Sequence, residues 1–144
     1  SDPRTRFDIQ RKIHGTDIFN FTRKYVQPSK VLEVGCGAGG ILSRFADVGC
    51  NVLGLDYDEK FLDQARENNI PVLCGSIERL QKRDKFDLII LSHVLEHIVS
   101  PSIFLDRLAG HLADKGVLYI EVPSLDHVKH GGFQYDLLTY WQIR

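Results

Sequence analysis

The 144-residue sequence has only three cysteines, almost no net charge and no long apolar run. Cys36, Cys50 and Cys74 are odd in number and make no C-x-x-C pair, which excludes a disulfide framework or a zinc knuckle and leaves reduced thiols. No apolar stretch approaches the roughly eighteen residues of a membrane span, and residues 1–12 lack the apolar region of a signal peptide. A soluble, cytoplasmic protein without a membrane partner is therefore expected. The formal charge of −1 gives no general attraction to polyanions. Seven Lys/Arg against three Asp/Glu in the first thirty residues are too scattered for a patch and read as a solvated helix face. No nucleic-acid partner is expected.

What the sequence does contain is a core: 43% of its residues are hydrophobic and 26% charged, the balance of one globular domain over 1–144. Short β-branched and aliphatic runs alternate with stretches of helical period, the signature of βαβ units and a parallel sheet. Strands are expected at 30–34, 51–55, 71–74, 86–91 and 116–122, all buried. Helices are expected at 16–26, 39–48, 59–68 and 101–113. Ser100 can cap the last helix, Pro101 suits its first position, and Asp114-Lys115-Gly116 offers a turn with a left-handed glycine before the fifth strand.

Val31 to Gly40 reads as a strand running into a glycine-rich turn and a helix, so backbone can approach a ligand at the strand's carboxyl end. Gly35, Gly37 and Gly40 match the dinucleotide fingerprint G-x-G-x-x-G, and the glycines alone do not separate a dinucleotide from S-adenosylmethionine. Glu33 makes the distinction. A carboxylate two residues before the first glycine repels a pyrophosphate but forms a charge-assisted hydrogen bond with the ammonium of a methionine moiety. A local cap or ion pair is its bland alternative. Twenty-one residues after Gly35, Asp56 ends the second strand where a ribose diol would lie, and Tyr57 is placed to pack on an adenine face.

The order Glu33-x-Gly35-x-Gly37-x-Gly39, Asp56, Gly75-Ser76-Ile77, Phe86-Asp87 to His97, and Lys115 to Pro123 resembles the class I S-adenosylmethionine-dependent methyltransferases over about residues 30–124. The resemblance implies an α/β fold of the Rossmann-like kind: a doubly wound, mostly parallel sheet in three αβα layers. It implies that Gly35, Cys36, Gly37 and Gly39 line the methionine side, that Asp56 binds ribose, and that Ser76 and Ile77 flank the adenine. Ser76 stands where the family often has Asp, and a hydroxyl bonds the adenine amino group less strongly. The family's seven-stranded sheet ends in an antiparallel hairpin beside the fifth strand, whereas twenty-one residues follow Pro123 here. The C-terminal strands are accordingly expected to be missing, or the aromatic tail to cover the open edge in a homodimer.

In this family the enzyme acts mainly by alignment and desolvation, and a general base helps if the acceptor is a hydroxyl. Leu91, Ser92 and His93 fall at the carboxyl end of the fourth strand, beside the expected methyl position, and His93 or His97 could take the proton. Glu96 and His97 could instead cap the following turn. The spacing of His93, Glu96 and His97 is similar to the E-x-x-E-H metal element of small-RNA 2′-O-methyltransferases and some ubiquinone-pathway O-methyltransferases, with His127 and His130 as further ligands. His93 replaces the first Glu of that element, which favours a softer metal than magnesium or none, and none is expected. Gly131 to Asp136 and Trp141 to Arg144 resemble methyltransferases of surface-polysaccharide and small-metabolite pathways, so the expected partner is a small-molecule acceptor such as a sugar or metabolite hydroxyl. A binding domain without turnover and an NAD-dependent oxidoreductase are the rival readings.

Overall fold

Aliphatic runs build a central sheet in the computed structural model, which describes residues 2–123 and 138–141. Five parallel strands, β1 (Lys30–Val34), β2 (Asn51–Asp56), β3 (Val72–Cys74), β4 (Phe86–Ser92) and β5 (Leu112–Glu121), are joined by an antiparallel β6 (Leu138–Trp141), in the order β3-β2-β1-β4-β5-β6. Because successive side chains leave a strand on opposite faces, the sheet feeds two cores. Val31, Leu88, Ile90, Val117 and Tyr119 meet Ile18, Leu42, Phe45 and Leu62 on one face, beneath α2 (Gly15–Thr22), α3 (Gly40–Ala46) and α4 (Glu59–Glu67). Leu32, Val34, Ile89, Leu91, Leu118 and Ile120 meet Leu108 of α5 (Pro101–Ala109) on the other. Burial of each such aliphatic side chain contributes about 1.5–3 kcal/mol. The result is the three-layer αβα, Rossmann-like arrangement expected. No helix among the described residues is long and apolar enough to cross a membrane.

The departures have local causes. The helix expected at 101–113 stops at Ala109, and β5 begins at Leu112 with a register shift between Phe86 and Leu88 of its neighbour. Asp114-Lys115-Gly116 is thus an irregularity inside a strand, and its left-handed residue is Lys115 (φ 62°), not Gly116. Gly116 is needed for close approach instead: a Cβ there would lie 2.8 Å from the Ala113 carbonyl oxygen and 2.9 Å from that of Phe86. The Ser100 side chain makes no capping hydrogen bond to α5. At the sheet's edge β3 is half-buried rather than buried. The other edge, expected to stand open, pairs through Leu118–Glu121 of β5 with β6 of the same chain.

Helix precedes the 16–26 segment as well. Asp2 caps α1 (Pro3–Ile9), its Oδ2 accepting the Thr5 N–H at 3.0 Å, and Pro3 fills the first turn. A π-helical turn, Gln10–His14, carries the chain into α2, which ends at Thr22. This N-terminal arm lies directly on α3: Arg11 donates to Ser43 Oγ at 2.8 Å and to Asp47 Oδ2 at 2.6 Å. The approach is so close that a Cβ on Gly40 would sit 2.4 Å from the Phe7 carbonyl oxygen and 2.7 Å from the Arg11 nitrogen. Because these are backbone atoms that cannot swing aside, Gly40→Ala is expected to lower stability by about 3 kcal/mol, the upper end for overpacking. Gly49→Ala, at φ 87° with nothing within 4 Å, should lose only about 1 kcal/mol to backbone strain. Urea denaturation of both variants checks the contrast, and equal losses would mean that the arm does not dock as described.

Candidate functional site

Backbone hydrogen bonds fix the glycine turn to the end of β2. Gly35 and Cys36 both donate to the Leu55 carbonyl, at 2.7 and 3.0 Å, and Gly37 donates to Asp56 Oδ2 at 2.8 Å. Gly35, Gly37 and Gly39 take φ values of 74°, 53° and 79°, a path that glycine follows without strain. Cys36 turns its side chain into the core, where burial and then the charges of Glu33 and Asp56 push its thiol far up; only its backbone can face a ligand.

Glu33, one residue from the carboxyl end of the turn's parent strand, is 1% exposed, and neither carboxylate oxygen has a hydrogen-bond partner among the described residues. Burial first, and the nearby Asp56 charge second, hold its carboxyl well above the usual carboxylate range. The local cap or ion pair is not what the structure contains. Glu33 instead lines a cleft of about 420 Å³ with Gly35, Ser92, His93, Glu96 and His97 on one side and Arg6, Gln10 and His14 of the N-terminal arm on the other. A volume of this order lies within the range of small-ligand sites, about 300–1,000 Å³. The three residues of the arm carry no motif signal. Gln10 is buried, its Nε2 donating to the Cys36 carbonyl at 3.4 Å while Oε1 has no partner among the described residues.

Asp56, half-buried at the end of β2, is bonded to the glycine turn. Its two oxygens accept the Gly37 N–H and, at 3.0 Å, the Asp58 N–H, so the residue ties strand and turn together. An ionised carboxylate has about four acceptor positions, which leaves two for a ligand diol. Asp56→Ala would therefore strip two backbone amides of their acceptor as well as altering the site. Tyr57 is 72% exposed, with its hydroxyl 3.5 Å from Glu78 Oε1; the same oxygen accepts the Ser76 N–H at 2.9 Å. Tyr57, Ser76 and Ile77 thus gather around Glu78 beyond β2 and β3, outside the lining of the cleft, and Ile77 also packs against the second core.

At the end of β4, Leu91 is fully buried and Ser92 donates to Glu121 Oε2 of β5 at 3.0 Å. His93 adopts φ 56°, rare for a residue with a Cβ, and lies between two carboxylates: Nδ1 is 3.6 Å from Glu96 and Nε2 3.7 Å from Glu121. His97 is exposed on the short turn that follows. Among the described residues no three His, Cys, Asp or Glu side chains converge as metal ligands, and His127 and His130 lie outside the described residues. Glu121 carries no expectation from spacing. Its place at the carboxyl end of a parallel strand, where such sheets bind ligands, is the signal that points to it.

This geometry, a parallel sheet with a glycine turn and a carboxylate at the end of each of its first two strands, can be set beside known proteins. A methyltransferase domain family model matches residues 9–144. The chain belongs to that family. Among curated methyltransferases it is 33% identical over 111 residues to the ubiquinone biosynthesis O-methyltransferase of Rickettsia felis, covering 72% of this chain and 46% of that protein. To the enzyme of the same name from Bradyrhizobium diazoefficiens it is 29% identical over 97 residues, or 63% and 38% of the two chains. The chain thus spans less than half the length of these relatives. The plantazolicin methyltransferase BpumL, solved with a desmethylplantazolicin analogue and S-adenosylhomocysteine, superposes with a TM-score of 0.73 at 22% identity, over 90% of this chain and 55% of that one. An S-adenosylmethionine-dependent methyltransferase from Archaeoglobus fulgidus gives 0.68 at 22% identity, over 80% and 54%. The expected methyltransferase family and the Rossmann-like fold are borne out.

Within this methyltransferase domain the buried Glu33 has a measurable consequence. A carboxyl whose folded-state pKa is raised binds more protons folded than unfolded, so stability falls as pH rises from about its ordinary 4.5 toward the raised value. The ligand-free protein is expected to melt at lower temperature as pH increases through this window. Glu33→Gln should flatten that decline and equal or exceed the parent in stability at neutral pH. Calorimetric melts across pH 4 to 8, taken as roughly the window of most stability linkage, check it; an unchanged slope would mean that Glu33 does not titrate as its burial requires.

Proposed function

We propose that this domain binds S-adenosylmethionine along the glycine turn and transfers its methyl group to a hydroxyl of a small molecule. The observation that carries the proposal is Glu33: a buried carboxylate without a partner, on the wall of an accessible cleft, is stabilised by a bound cation and costly without one. The ammonium of a methionine moiety supplies that cation, and Arg6 and His14 across the cleft suit the adjoining carboxylate. Gly35, Cys36, Gly37 and Gly39 give the backbone path beside the methionine chain. Asp56 takes the ribose diol with its two spare acceptor positions, and Ser76, Ile77 and Tyr57 take the adenine. Ser92 and His93 close the methyl end, with Leu91 in the core behind them. When bound, S-adenosylmethionine supplies an electrophilic methyl group on a sulfonium. The protein's share is to orient the acceptor, exclude water and receive the acceptor's proton.

A nicotinamide dinucleotide suits the same residues poorly. Pyrophosphate is held by free amide N–H groups at such a turn, whereas Gly35, Cys36 and Gly37 spend theirs on Leu55 and Asp56. Its negative charge would also face Glu33. The hydroxyl acceptor is supported by the O-methyltransferase names of the two relatives. Titration calorimetry is expected to show binding of S-adenosylhomocysteine and none of NAD, with Glu33→Gln weakening the former about ten- to a hundredfold through loss of a charge-assisted hydrogen bond. Binding of NAD with no affinity for S-adenosylhomocysteine would overturn the proposal.

A further inference from the structure

Two polar strand ends, Ser92 of β4 with His93 after it and Glu121 of β5, meet at the border of the cleft, and the cofactor contacts give Glu121 no role. Glu121, at the end of β5, grips His93 through both backbone and side chain. Its carbonyl accepts the His93 N–H at 2.9 Å, and its Oε1 lies 3.7 Å from His93 Nε2. The carboxylate is itself held: Oε2 accepts the Ser92 hydroxyl at 3.0 Å and faces the Tyr119 hydroxyl at 3.5 Å, and its side chain is 13% exposed. Glu96, on the other side of the ring at 3.6 Å from Nδ1, is 26% exposed and comes from a single short turn. One side of the imidazole therefore faces a carboxylate fixed by its neighbours, and the other faces the more exposed Glu96, which lines the cleft together with His93.

We infer that Glu121 is a positioning residue that holds His93 with its Nε2–H toward the carboxylate and its Nδ1 lone pair toward the cleft, so that His93 rather than His97 receives the proton of the acceptor hydroxyl. The inference rests on the methyl-transfer reading above. A carboxylate beside one ring nitrogen selects the tautomer that places a proton there and stabilises the charge the ring gains on accepting a second. At 3.7 Å the pair is not yet a hydrogen bond, and contacts of this kind tighten when the ligands are in place. The left-handed backbone at His93 is the strained feature that keeps its ring in this position at the end of β4. In the reaction, the hydroxyl proton passes to Nδ1 as the acceptor oxygen bonds the methyl carbon, the electron pair of the broken sulfur–carbon bond stays on sulfur, and the imidazolium then gives its proton to water. His97 lines the same cleft but is exposed and has no such buttress at the end of β5.

Nitrogen-15 NMR of the ligand-free intact protein tests this directly. The expected result is one neutral His93 tautomer, protonated at Nε2, which becomes a mixture in Glu121→Gln while the melting temperature and S-adenosylhomocysteine affinity stay within twofold-equivalent limits of the parent. The same tautomer in both proteins, or a proton on Nδ1, would overturn the role of Glu121. With 3,4-dihydroxybenzoate as the probe hydroxyl, Glu121→Gln should lower kcat about ten- to a hundredfold, the usual effect of removing such an outer partner, at unchanged KM. A loss in His97→Gln with none in Glu121→Gln would overturn the assignment of the proton to His93. A parent protein that binds S-adenosylhomocysteine yet leaves the probe unmethylated would count against the hydroxyl acceptor, with the tautomer measurement still deciding the role of Glu121.

Discussion

The domain's site depends on a single fastening: the amides of Gly35, Cys36 and Gly37 bonded to the last two residues of β2. Parallel pairing brings β1 and β2 to the same sheet edge in register, Val34 opposite Leu55, and the turn then closes onto its neighbour's carbonyl and carboxylate. Three buried or half-buried donors are satisfied in this way, so the turn is rigid without a ligand. Its first three amides also face the protein, which withholds them from an anion. One arrangement thus sets both the shape of the site and the sign of the charge it accepts.

Glu33 complements that sign at a cost to stability. The two carboxylates nearest the turn, Glu33 and Asp56, are close enough for one to raise the other's proton affinity, and Glu33 has no donor to offset its burial. A structure selected for stability alone would place an aliphatic residue at this position, between Leu32 and Val34. The retained carboxylate is a local conflict with the surrounding core, and such conflicts concentrate where a protein binds. The same reasoning separates Glu33 from Asp56, whose oxygens already serve two backbone amides and whose removal loosens the turn itself.

The sheet was legible because its signals are local and periodic. β1 spans the expected residues, and β2 and β4 each extend one residue past their expected ends. Around Ala109–Gly116 the reading fails for a tertiary reason: the pairing of β4 with β5 extends the strand backward through a bulge, overriding a plausible helix stop. The N-terminal arm shows a different failure. Asp2-Pro3 carries the same cap-and-proline signal as Ser100-Pro101, yet the side-chain cap forms only at Asp2, where Thr5 is in reach. Residue type nominates a cap and backbone geometry decides it. Among the site residues, Glu33 and Asp56 could be placed because a motif fixes their distance from the glycines. Gln10, His14 and Glu121 come from segments remote in sequence; the docking of the arm on α3 brings the first two to the cleft, and the register Ser92 opposite Glu121 sets the third beside His93.

That assembly from remote parts explains how charge is distributed in the cleft. Glu33 lines the cleft from a buried strand, and Glu121, held by Ser92, stands beside the cleft on another, whereas Arg6 and His14 reach in from a helical arm held by Arg11 at Ser43 and Asp47. Strand ends are rigid to within the sheet's own register, so groups that must aim at one atom are best placed there. The long Arg6 side chain on a helix can adjust, and bulk charge rather than direction is what a ligand carboxylate requires of it. The arrangement therefore puts orientation on the sheet and charge compensation on the arm. His93 belongs to the first group: its backbone is bonded to β5, its ring lies between two carboxylates, and its strained φ is tolerated because both strands hold it in place.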